Sequence, residues 1–104
     1  MEKVYGGIEA GGTKFVCVIG TGPDDMRAKT VFPTTTPEET IEQTVDFFRG
    51  YSGTGTLSAI GIASFGPLNL DPNSPEYGYI THTPKPGWEH TDILGMVQSA
   101  LSLP

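Results

Sequence analysis

The chain has 104 residues, of which 37% are hydrophobic, and its formal net charge is −6. This length suits one small domain, and five Phe, four Tyr and one Trp provide enough apolar volume for a globular core. The acidic balance argues against a nucleic-acid partner, which requires a basic surface, although a single nucleotide needs only a few donors.

The single cysteine, Cys17, excludes an internal disulfide and any zinc site built from several cysteines. It falls inside an apolar segment, so we interpret it as a small buried residue. No stretch is long and apolar enough to cross a membrane, and the first residues lack the basic and apolar segments of a secretory signal. We therefore expect a cytoplasmic protein without a membrane partner.

The chain begins with two apolar segments, residues 4–10 and 13–20, that are joined by Gly11-Gly12. This pattern is typical of a β-hairpin, because glycine tolerates the positive φ that a tight two-residue turn requires. Residues 27–33 alternate between apolar and polar side chains and predict a third strand. We therefore expect an antiparallel meander of three strands.

The turn of the predicted hairpin carries groups that suit a phosphate. Gly11 and Gly12 would let backbone N–H groups approach a ligand, while Thr13 adds a hydroxyl and Lys14 a positive charge. Glu9, on the incoming strand, could hold a hydrated Mg²⁺ nearby. Taken alone, the pattern favours an ordinary turn, and it is not a Walker A motif, in which a helix follows the lysine.

A helix is predicted after the third strand, with Thr36 as N-cap, Pro37 at the first helical position and Glu39 completing a capping box. Gly50 is expected to end it. Residues 57–66 are small or β-branched on both faces, which predicts a central strand next to the first one and covered by helices. The buried face of the helix is predicted to comprise Ile41, Val45 and Phe48.

The remainder is mostly loop from residue 68 to residue 88, with a short strand predicted at 77–82. A second helix is expected to begin at Thr91 or Asp92 and to end at Ser102-Leu103-Pro104. The order of the elements predicts an α/β fold, in which helices pack on a mixed sheet with an antiparallel three-strand start. A helix of this kind usually leads back into the sheet.

Three motifs, in the same order, resemble the ROK family (repressors, open reading frames and kinases) of sugar kinases. They are residues 5–15 (Tyr-Gly-Gly-Ile-Glu-Ala-Gly-Gly-Thr-Lys-Phe), 60–67 (Ile-Gly-Ile-Ala-Ser-Phe-Gly-Pro) and 81–88 (Thr-His-Thr-Pro-Lys-Pro-Gly-Trp). The first is most similar to the bacterial fructokinase branch, where Glu-Ala-Gly-Gly-Thr-Lys is typical, while many other members have Asp at the position of Glu9. The resemblance implies the N-terminal lobe of an actin-like ATPase (ribonuclease H-like) fold.

The resemblance also implies roles for the hairpin. Gly11, Gly12, Thr13 and Lys14 would face the phosphates of ATP. Glu9 would approach the magnesium ion through water.

A sugar site is implied by the other two motifs. Gly66 and Pro67 match a turn that lines the sugar pocket, and Thr83 matches a residue near the sugar hydroxyls. Trp88 matches a position bordering the sugar entrance. The alternatives are that Gly66-Pro67 is simply a strand terminus and that Trp88 is a hydrophobic plug over the second helix, since large aromatic residues so often pack.

The function that the resemblance implies is ATP-dependent phosphorylation of a hexose, with fructose giving fructose 6-phosphate as the favoured reaction. A ROK-type glucokinase and an N-acylhexosamine kinase are alternatives. A sugar-responsive repressor of the same family and a non-catalytic sugar- or nucleotide-binding module are alternatives from other classes.

Several motifs of the ROK family are absent from this chain. In the family, the general base is an Asp in an Asp-Val-Asn-Ala-Ala-type motif just beyond a helix like the second one predicted here. The resemblance therefore implies that the base lies beyond Pro104, and residues 1–104 do not contain the motif. The second phosphate loop, the adenosine-binding region and the His/Cys zinc cluster are also absent. We therefore expect residues 1–104 to be the N-terminal lobe of a longer kinase, truncated before the catalytic Asp and inactive alone. Any zinc ligands would lie elsewhere, as would most of the contacts of a possible homodimer.

Overall fold

The computed structural model describes residues 2–51, 53, 55–65, 67–83 and 85–103 of the chain. The strands are β1 (Lys3–Ala10), β2 (Lys14–Gly22), β3 (Asp25–Pro33) and β4 (Thr56–Ser64), and the helices are α1 (Pro37–Arg49) and α2 (Ile93–Leu101). Together the strands form one sheet in the order β3-β2-β1-β4. The predicted α/β fold with a mixed sheet is confirmed.

The first three strands form the antiparallel meander that the sequence predicts. In the β1–β2 pair, Tyr5 lies opposite Gly20 and Ala10 lies opposite Phe15. β4 instead runs parallel to β1, with Ala10 opposite Ser64. A parallel pair requires a crossover connection, which α1 supplies. As a result, β1 and β4 both end at the same edge of the sheet.

β4 lies beside β1 as expected, but the prediction of a central, doubly covered strand is wrong for the described part of the chain. β4 is the edge strand of the described sheet. Its residues Ile60 and Ile62 pack against the core, whereas Gly61 and Ala63 on the opposite face are exposed. The reason is that the described helices add their apolar residues to a single core on one face of the sheet.

Helix α1 begins at the predicted N-cap. Glu39 contacts this cap, but its carboxylate accepts from the hydroxyl of Thr36 over 3.2 Å and not from the backbone N–H that a capping box uses. The side-chain oxygen of Thr36 accepts a hydrogen bond from the backbone N–H of Glu39 over 3.2 Å, and Pro37 follows the cap. The buried side chains include Ile41, Val45 and Phe48, which confirms the expected face. Its last residue, Arg49, reaches the second helix, because Nη2 of Arg49 donates to the carbonyl oxygen of Ala100 over 2.6 Å.

Helix α2 is capped by Asp92, whose carboxylate accepts from the backbone N–H of Gly95 over 2.9 Å. The prediction that Ser102-Leu103-Pro104 terminates the helix is confirmed, because its last residue is Leu101 and Ser102 is its C-cap. Ser102 has a left-handed conformation, with a φ of 55°, and its backbone N–H donates to the carbonyl oxygen of Gln98. The helix is thus ended by this C-cap before the proline is reached. Pro104 itself lies outside the described residues.

The short strand predicted at 77–82 is not formed. Only isolated bridges are present, from Ile80 to Leu68 and to Thr91. The backbone groups of this segment instead pair singly with residues on either side: the N–H of Gly78 donates to the carbonyl oxygen of Asn69, and the N–H of Ile80 donates to that of Thr91. None of the described helices has the length and apolar character needed to cross a membrane.

The core lies between the sheet and the two helices. Cys17 is fully buried in it, as predicted, and burial raises the pKa of its thiol to about 11, although a hydrogen bond with Thr44 acts in the opposite direction. The buried hydrophobic residues are Val4, Ile8, Ala10, Phe15, Cys17, Ile19, Phe32, Ile41, Val45, Phe48, Ile80, Trp88, Ile93 and Val97.

Candidate functional site

The turn between β1 and β2 spans residues 11–13, and Lys14 at the start of β2 closes it. The backbone N–H of Gly11 donates to the carbonyl oxygen of Lys14 over 3.0 Å. The prediction of a two-residue turn with positive φ is wrong, because neither Gly11 nor Gly12 has a positive φ. Gly11 is needed for space instead, since an added Cβ would lie 2.7 Å from the carbonyl oxygen of Lys14.

The turn presents donors to solvent. Thr13 and Lys14 are exposed, and Gly11 and Gly12 are half-buried. Within the part of the chain that the structure describes, the backbone N–H groups of Gly12 and Thr13 have no protein acceptor. The turn can therefore offer N–H groups, a hydroxyl and an ammonium group to an anion.

Glu9 lies on the same face of the sheet as Lys14. Glu9 pairs with Val16, which is two residues after Lys14, and side chains two apart on a strand share a face. Glu9 is exposed there. Among the described residues, no group of three or more His, Cys, Asp or Glu could hold a metal ion. A single carboxylate fits Mg²⁺, which keeps several waters and takes its other ligands from substrate phosphates.

The predicted sugar turn begins directly beside the hairpin. The backbone N–H of Phe65 donates to the carbonyl oxygen of Ala10 over 2.7 Å, so the ends of β4 and β1 are joined. Gly66 lies outside the described residues. Pro67 is exposed, and its carbonyl oxygen accepts from both the backbone N–H and the hydroxyl of Thr81, each over 2.8 Å. The structure thus brings together the hairpin turn, the end of β4 and the segment that begins at Thr81. They meet at the carboxyl ends of β1 and β4, which is where open α/β sheets usually bind ligands.

Thr83 is half-buried in the segment that follows. Its hydroxyl oxygen accepts from the backbone N–H of Lys85 over 3.2 Å. A hydroxyl that accepts one bond can still donate its own proton. Thr83 therefore keeps a hydrogen-bond donor for a ligand such as a sugar oxygen.

Trp88 does not reach the surface. It is fully buried, with ring centroids 5.8 Å from Phe15 and 5.6 Å from Phe65, and its Nε1 donates to the carbonyl oxygen of Thr35 over 2.7 Å. A buried indole with its N–H satisfied has no free group for a sugar. The burial supports the packing alternative for Trp88 over direct sugar contact.

Thr34 belongs to the site although no sequence motif marks it. It is only 5% exposed, its hydroxyl donates to the carbonyl oxygen of Gly11 over 2.7 Å, and its backbone N–H donates to the carbonyl oxygen of Thr13 over 2.9 Å. No local signal indicates this role, because Gly11, to which Thr34 bonds, lies 23 residues away in the chain.

Solved structures share this fold. A glucokinase from Parabacteroides distasonis superposes with a TM-score of 0.80 at 19% identity, covering 99% of this chain and 29% of that one. A ROK family glucokinase from Streptomyces griseus, solved with glucose and AMPPNP, gives 0.76 at 20% identity, covering 97% and 31%. A ROK family transcriptional regulator homologous to the Escherichia coli MLC protein gives 0.76 at 14% identity, covering 100% and 27%. These superpositions confirm the expected α/β fold and show that parts of these proteins share it.

Curated proteins found by sequence have a higher identity to this chain than these solved structures do. Fructokinase from Streptococcus mutans serotype c is 50% identical over 104 residues, which is 100% of this chain and 35% of that protein. Fructokinase from Pediococcus pentosaceus is 48% identical over 101 residues, 97% of this chain and 34% of that protein. The chain thus spans about a third of the length of the curated relatives it matches. The ROK family pattern itself matches residues 5–104, and the chain therefore belongs to the ROK family.

Proposed function

We propose that this chain is the N-terminal lobe of a longer ATP-dependent hexose kinase that converts fructose to fructose 6-phosphate. The observation that carries the proposal is the 2.7 Å hydrogen bond from Phe65 to Ala10, which holds the candidate phosphate turn beside the candidate sugar turn. Membership of the ROK family and fructokinase relatives at about 50% identity support the same reaction.

Phosphoryl transfer depends mainly on positioning and on stabilising negative charge. In this proposal, the N–H groups of Gly12 and Thr13 bind phosphate oxygens of ATP, and Lys14 contributes a positive charge. Gly11 allows the close turn that presents them. These groups lie at one turn, so they can act on the same phosphate chain.

Glu9 would hold Mg²⁺ through water, on the face of the sheet that Lys14 also occupies. When bound, the metal would supply positive charge to the transferring phosphate. The carboxylate of Glu9 would orient the waters around the ion, and Lys14 would keep a separate contact to phosphate.

On the sugar side, Gly66 and Pro67 would line the pocket, and Thr83 would hydrogen-bond a sugar hydroxyl. Trp88 is not a sugar ligand in this proposal, because it is buried. The base that takes the proton from the sugar hydroxyl would be an Asp beyond Pro104, in the remainder of the protein. We therefore expect residues 1–104 alone to be inactive.

The remaining expectations also concern the longer protein. The second phosphate loop and any zinc ligands would lie outside residues 1–104, and so would most of any homodimer surface. The partners would be ATP and a sugar, with no nucleic acid, and the site of action would be the cytoplasm, where ATP is available.

The first test is the coding sequence beyond codon 104, which should continue into a strand and an Asp-x-Asn motif. The protein encoded by the complete reading frame, called the full-length protein below, is then assayed with Mg·ATP and fructose, glucose, mannose or an N-acyl hexosamine. Fructose should give the highest kcat/KM. A preference for glucose or for an N-acyl hexosamine would replace fructokinase by that alternative, and no turnover with any sugar would overturn the kinase.

Lys14→Ala tests the phosphate turn, with Lys29→Ala as the matched control. Lys29 pairs with Val18 and is an exposed lysine on the same face of the sheet, but it lies away from the turn. Loss of a charged contact to phosphate should lower kcat/KM at least about tenfold. Lys29→Ala should leave it within about twofold. Equal rates for the two variants would remove Lys14 from the mechanism.

The repressor alternative is tested by a gel shift with genomic fragments. The fold does not discriminate, since ROK kinases and a ROK regulator both superpose well. The net charge of −6 over residues 1–104 opposes binding to DNA by this part of the protein. We expect no specific complex, and a specific complex would revive the repressor.

A further inference from the structure

A short strap, defined here as Thr34 and Thr35, lies between the candidate phosphate turn and Trp88. Thr34 makes two hydrogen bonds to the turn, from its hydroxyl to the carbonyl of Gly11 and from its N–H to the carbonyl of Thr13. The first of these bonds spans 23 residues along the chain, so it connects separate elements. Thr34 is buried, which shields the bonds from competition by water.

Thr35, the second residue of the strap, bonds to Trp88 and to helix α1. The carbonyl oxygen of Thr35 accepts from Nε1 of Trp88 over 2.7 Å, and the backbone N–H of Thr35 donates to Oγ1 of Thr40 over 3.0 Å. Thr36 then caps α1. The strap is therefore held by the turn on one side, by Trp88 on another and by helix α1 on the third.

Trp88 is the last residue of the candidate sugar segment, residues 81–88, and its bond to Thr35 links this segment to the strap. Its ring also contacts Phe15, the residue after Lys14, and Phe65, the last described residue before the sugar turn. One buried side chain thus contacts the base of the phosphate turn, the strap and the end of β4. A displacement of Trp88 would therefore alter its contacts with the turn, the strap and the end of β4.

We propose that Thr34 is a positioning residue for the phosphate turn and that the Thr35–Trp88 hydrogen bond fixes this turn relative to the sugar segment. Thr34 occupies the carbonyl oxygens of Gly11 and Thr13, so those oxygens are turned toward Thr34 and not toward a bound phosphate. The C=O of Gly11 and the N–H of Gly12 belong to one trans peptide and point in opposite directions, so the same bond directs the N–H of Gly12 away from Thr34, where it can meet a phosphate. A carbonyl turned toward phosphate would repel it. This inference rests on the proposed function.

The test in the full-length protein compares Thr34→Val, which removes the hydroxyl, with Thr34→Ser, which keeps it. Because the reacting groups must be aligned closely, and small displacements can cost up to about a hundredfold, we expect Thr34→Val to raise KM for ATP at least about fivefold. KM for fructose should change less than about twofold, and Thr34→Ser should restore KM for ATP to within about twofold of wild type. Thr30→Val, on strand β3 and away from the turn, is the control and should leave both constants unchanged.

Trp88→Phe tests the link between the two substrates. It keeps an aromatic ring but removes the indole N–H, so the carbonyl of Thr35 loses its partner. If this bond sets the position of ATP relative to the sugar, kcat should fall about tenfold while both KM values stay within about threefold, because each substrate still finds its own contacts. An unchanged kcat would remove Trp88 from the proposal.

Amide hydrogen exchange gives a readout that does not require activity. The N–H of Gly11, bonded to Lys14, and the N–H of Thr34 should exchange at least about tenfold faster in Thr34→Val than in wild type or Thr34→Ser, because the turn opens more readily. If Thr34→Val fails to fold, Thr34→Ala replaces it in the same comparison.

The possible failures are distinguishable. A wild-type protein that phosphorylates no sugar contradicts the proposed function, and the exchange rates still decide whether Thr34 holds the turn. An active wild type whose Thr34→Val variant has unchanged KM for ATP and unchanged exchange overturns the positioning role. Equal losses in Thr34→Val and Thr34→Ser also overturn it, because the hydroxyl would then not matter.

Discussion

The backbone of Gly11 and the carbonyl oxygen of Lys14 lie so close that a Cβ atom on Gly11 would be only 2.7 Å from that oxygen. Gly12, the next residue, has no heavy atom within 4 Å of the place where its Cβ would be. The two adjacent glycines therefore serve different purposes. Gly11 permits the turn, whereas Gly12 leaves open space at the point where a phosphate would approach.

Gly11→Ala should consequently destabilise the full-length protein, and Gly12→Ala should not. Forcing a methyl group against backbone that cannot move aside costs about 1–3 kcal/mol in the free energy of unfolding. Gly12→Ala should change that free energy by no more than about 0.5 kcal/mol. Urea unfolding of the two variants provides the comparison, and equal losses would mean that the turn does not have this close contact.

Gly12→Ala tests a separate property, the binding of ATP. A methyl group at Gly12 would occupy the open space without disturbing the turn. If phosphate lies there, KM for ATP should rise at least about fivefold at unchanged stability, which corresponds to about 1 kcal/mol of lost binding. Unchanged KM for ATP would place the phosphates elsewhere.

Cys17 should make stability depend on pH in the alkaline range. Its folded-state pKa is raised to about 11 from an ordinary value of 9.0. Between these values the unfolded chain loses the thiol proton and the folded chain keeps it, so the free energy of unfolding falls as pH rises. By pH 11 the thiol should have lowered that free energy by about 2–3 kcal/mol, because a pKa difference of one between the two states corresponds to about 1.4 kcal/mol.

Cys17→Ser is the control for this titration, because it has a similar size and does not ionise in this range. The difference between wild type and Cys17→Ser, measured by urea unfolding from about pH 8 to about pH 11, isolates the thiol from all groups that the two proteins share. The wild-type curve should fall more steeply above about pH 9. Parallel curves would show that the thiol ionises as easily in the fold as outside it.

Thr36→Ala should weaken helix α1. The N–H of Glu39 loses the hydroxyl that caps it, and such losses cost on the order of 1 kcal/mol. Glu42→Ala, an exposed substitution within the same helix, should change the free energy of unfolding by less than about 0.5 kcal/mol. The same urea experiment measures both, and a Thr36→Ala loss no larger than that of Glu42→Ala would contradict the capping role.

Local signals made several elements predictable. The N-cap at Thr36 and the helix face of Ile41 and Val45 follow from spacing within a few residues. The hairpin was predictable because glycines separate two apolar segments, and the place of β4 beside β1 was predictable from the low polarity of residues 57–66, although that low polarity wrongly predicted a central, doubly covered strand. In each case the residues that determine the structure are close together in the chain or carry a strong pattern.

Long-range contacts decided the rest. The backbone of Gly11 has no positive φ in a turn that is closed by the hydrogen bond from its N–H to the carbonyl oxygen of Lys14. The spacing of the residues in the sequence does not reveal this bond. Thr34 bonds to Gly11 across 23 positions, so no local pattern marks it as part of the turn. Trp88 fits either a sugar site or a core by sequence, and only its contacts with Phe15 and Phe65 show that it is buried.

Phosphorus NMR of the full-length protein with Mg·ATP and fructose tests most directly whether this lobe belongs to a fructose kinase. We predict that a signal of fructose 6-phosphate grows in step with ADP, and that neither grows when residues 1–104 are supplied alone. Unchanged ATP, release of inorganic phosphate only, or phosphate on a different hydroxyl of fructose would contradict the proposed function.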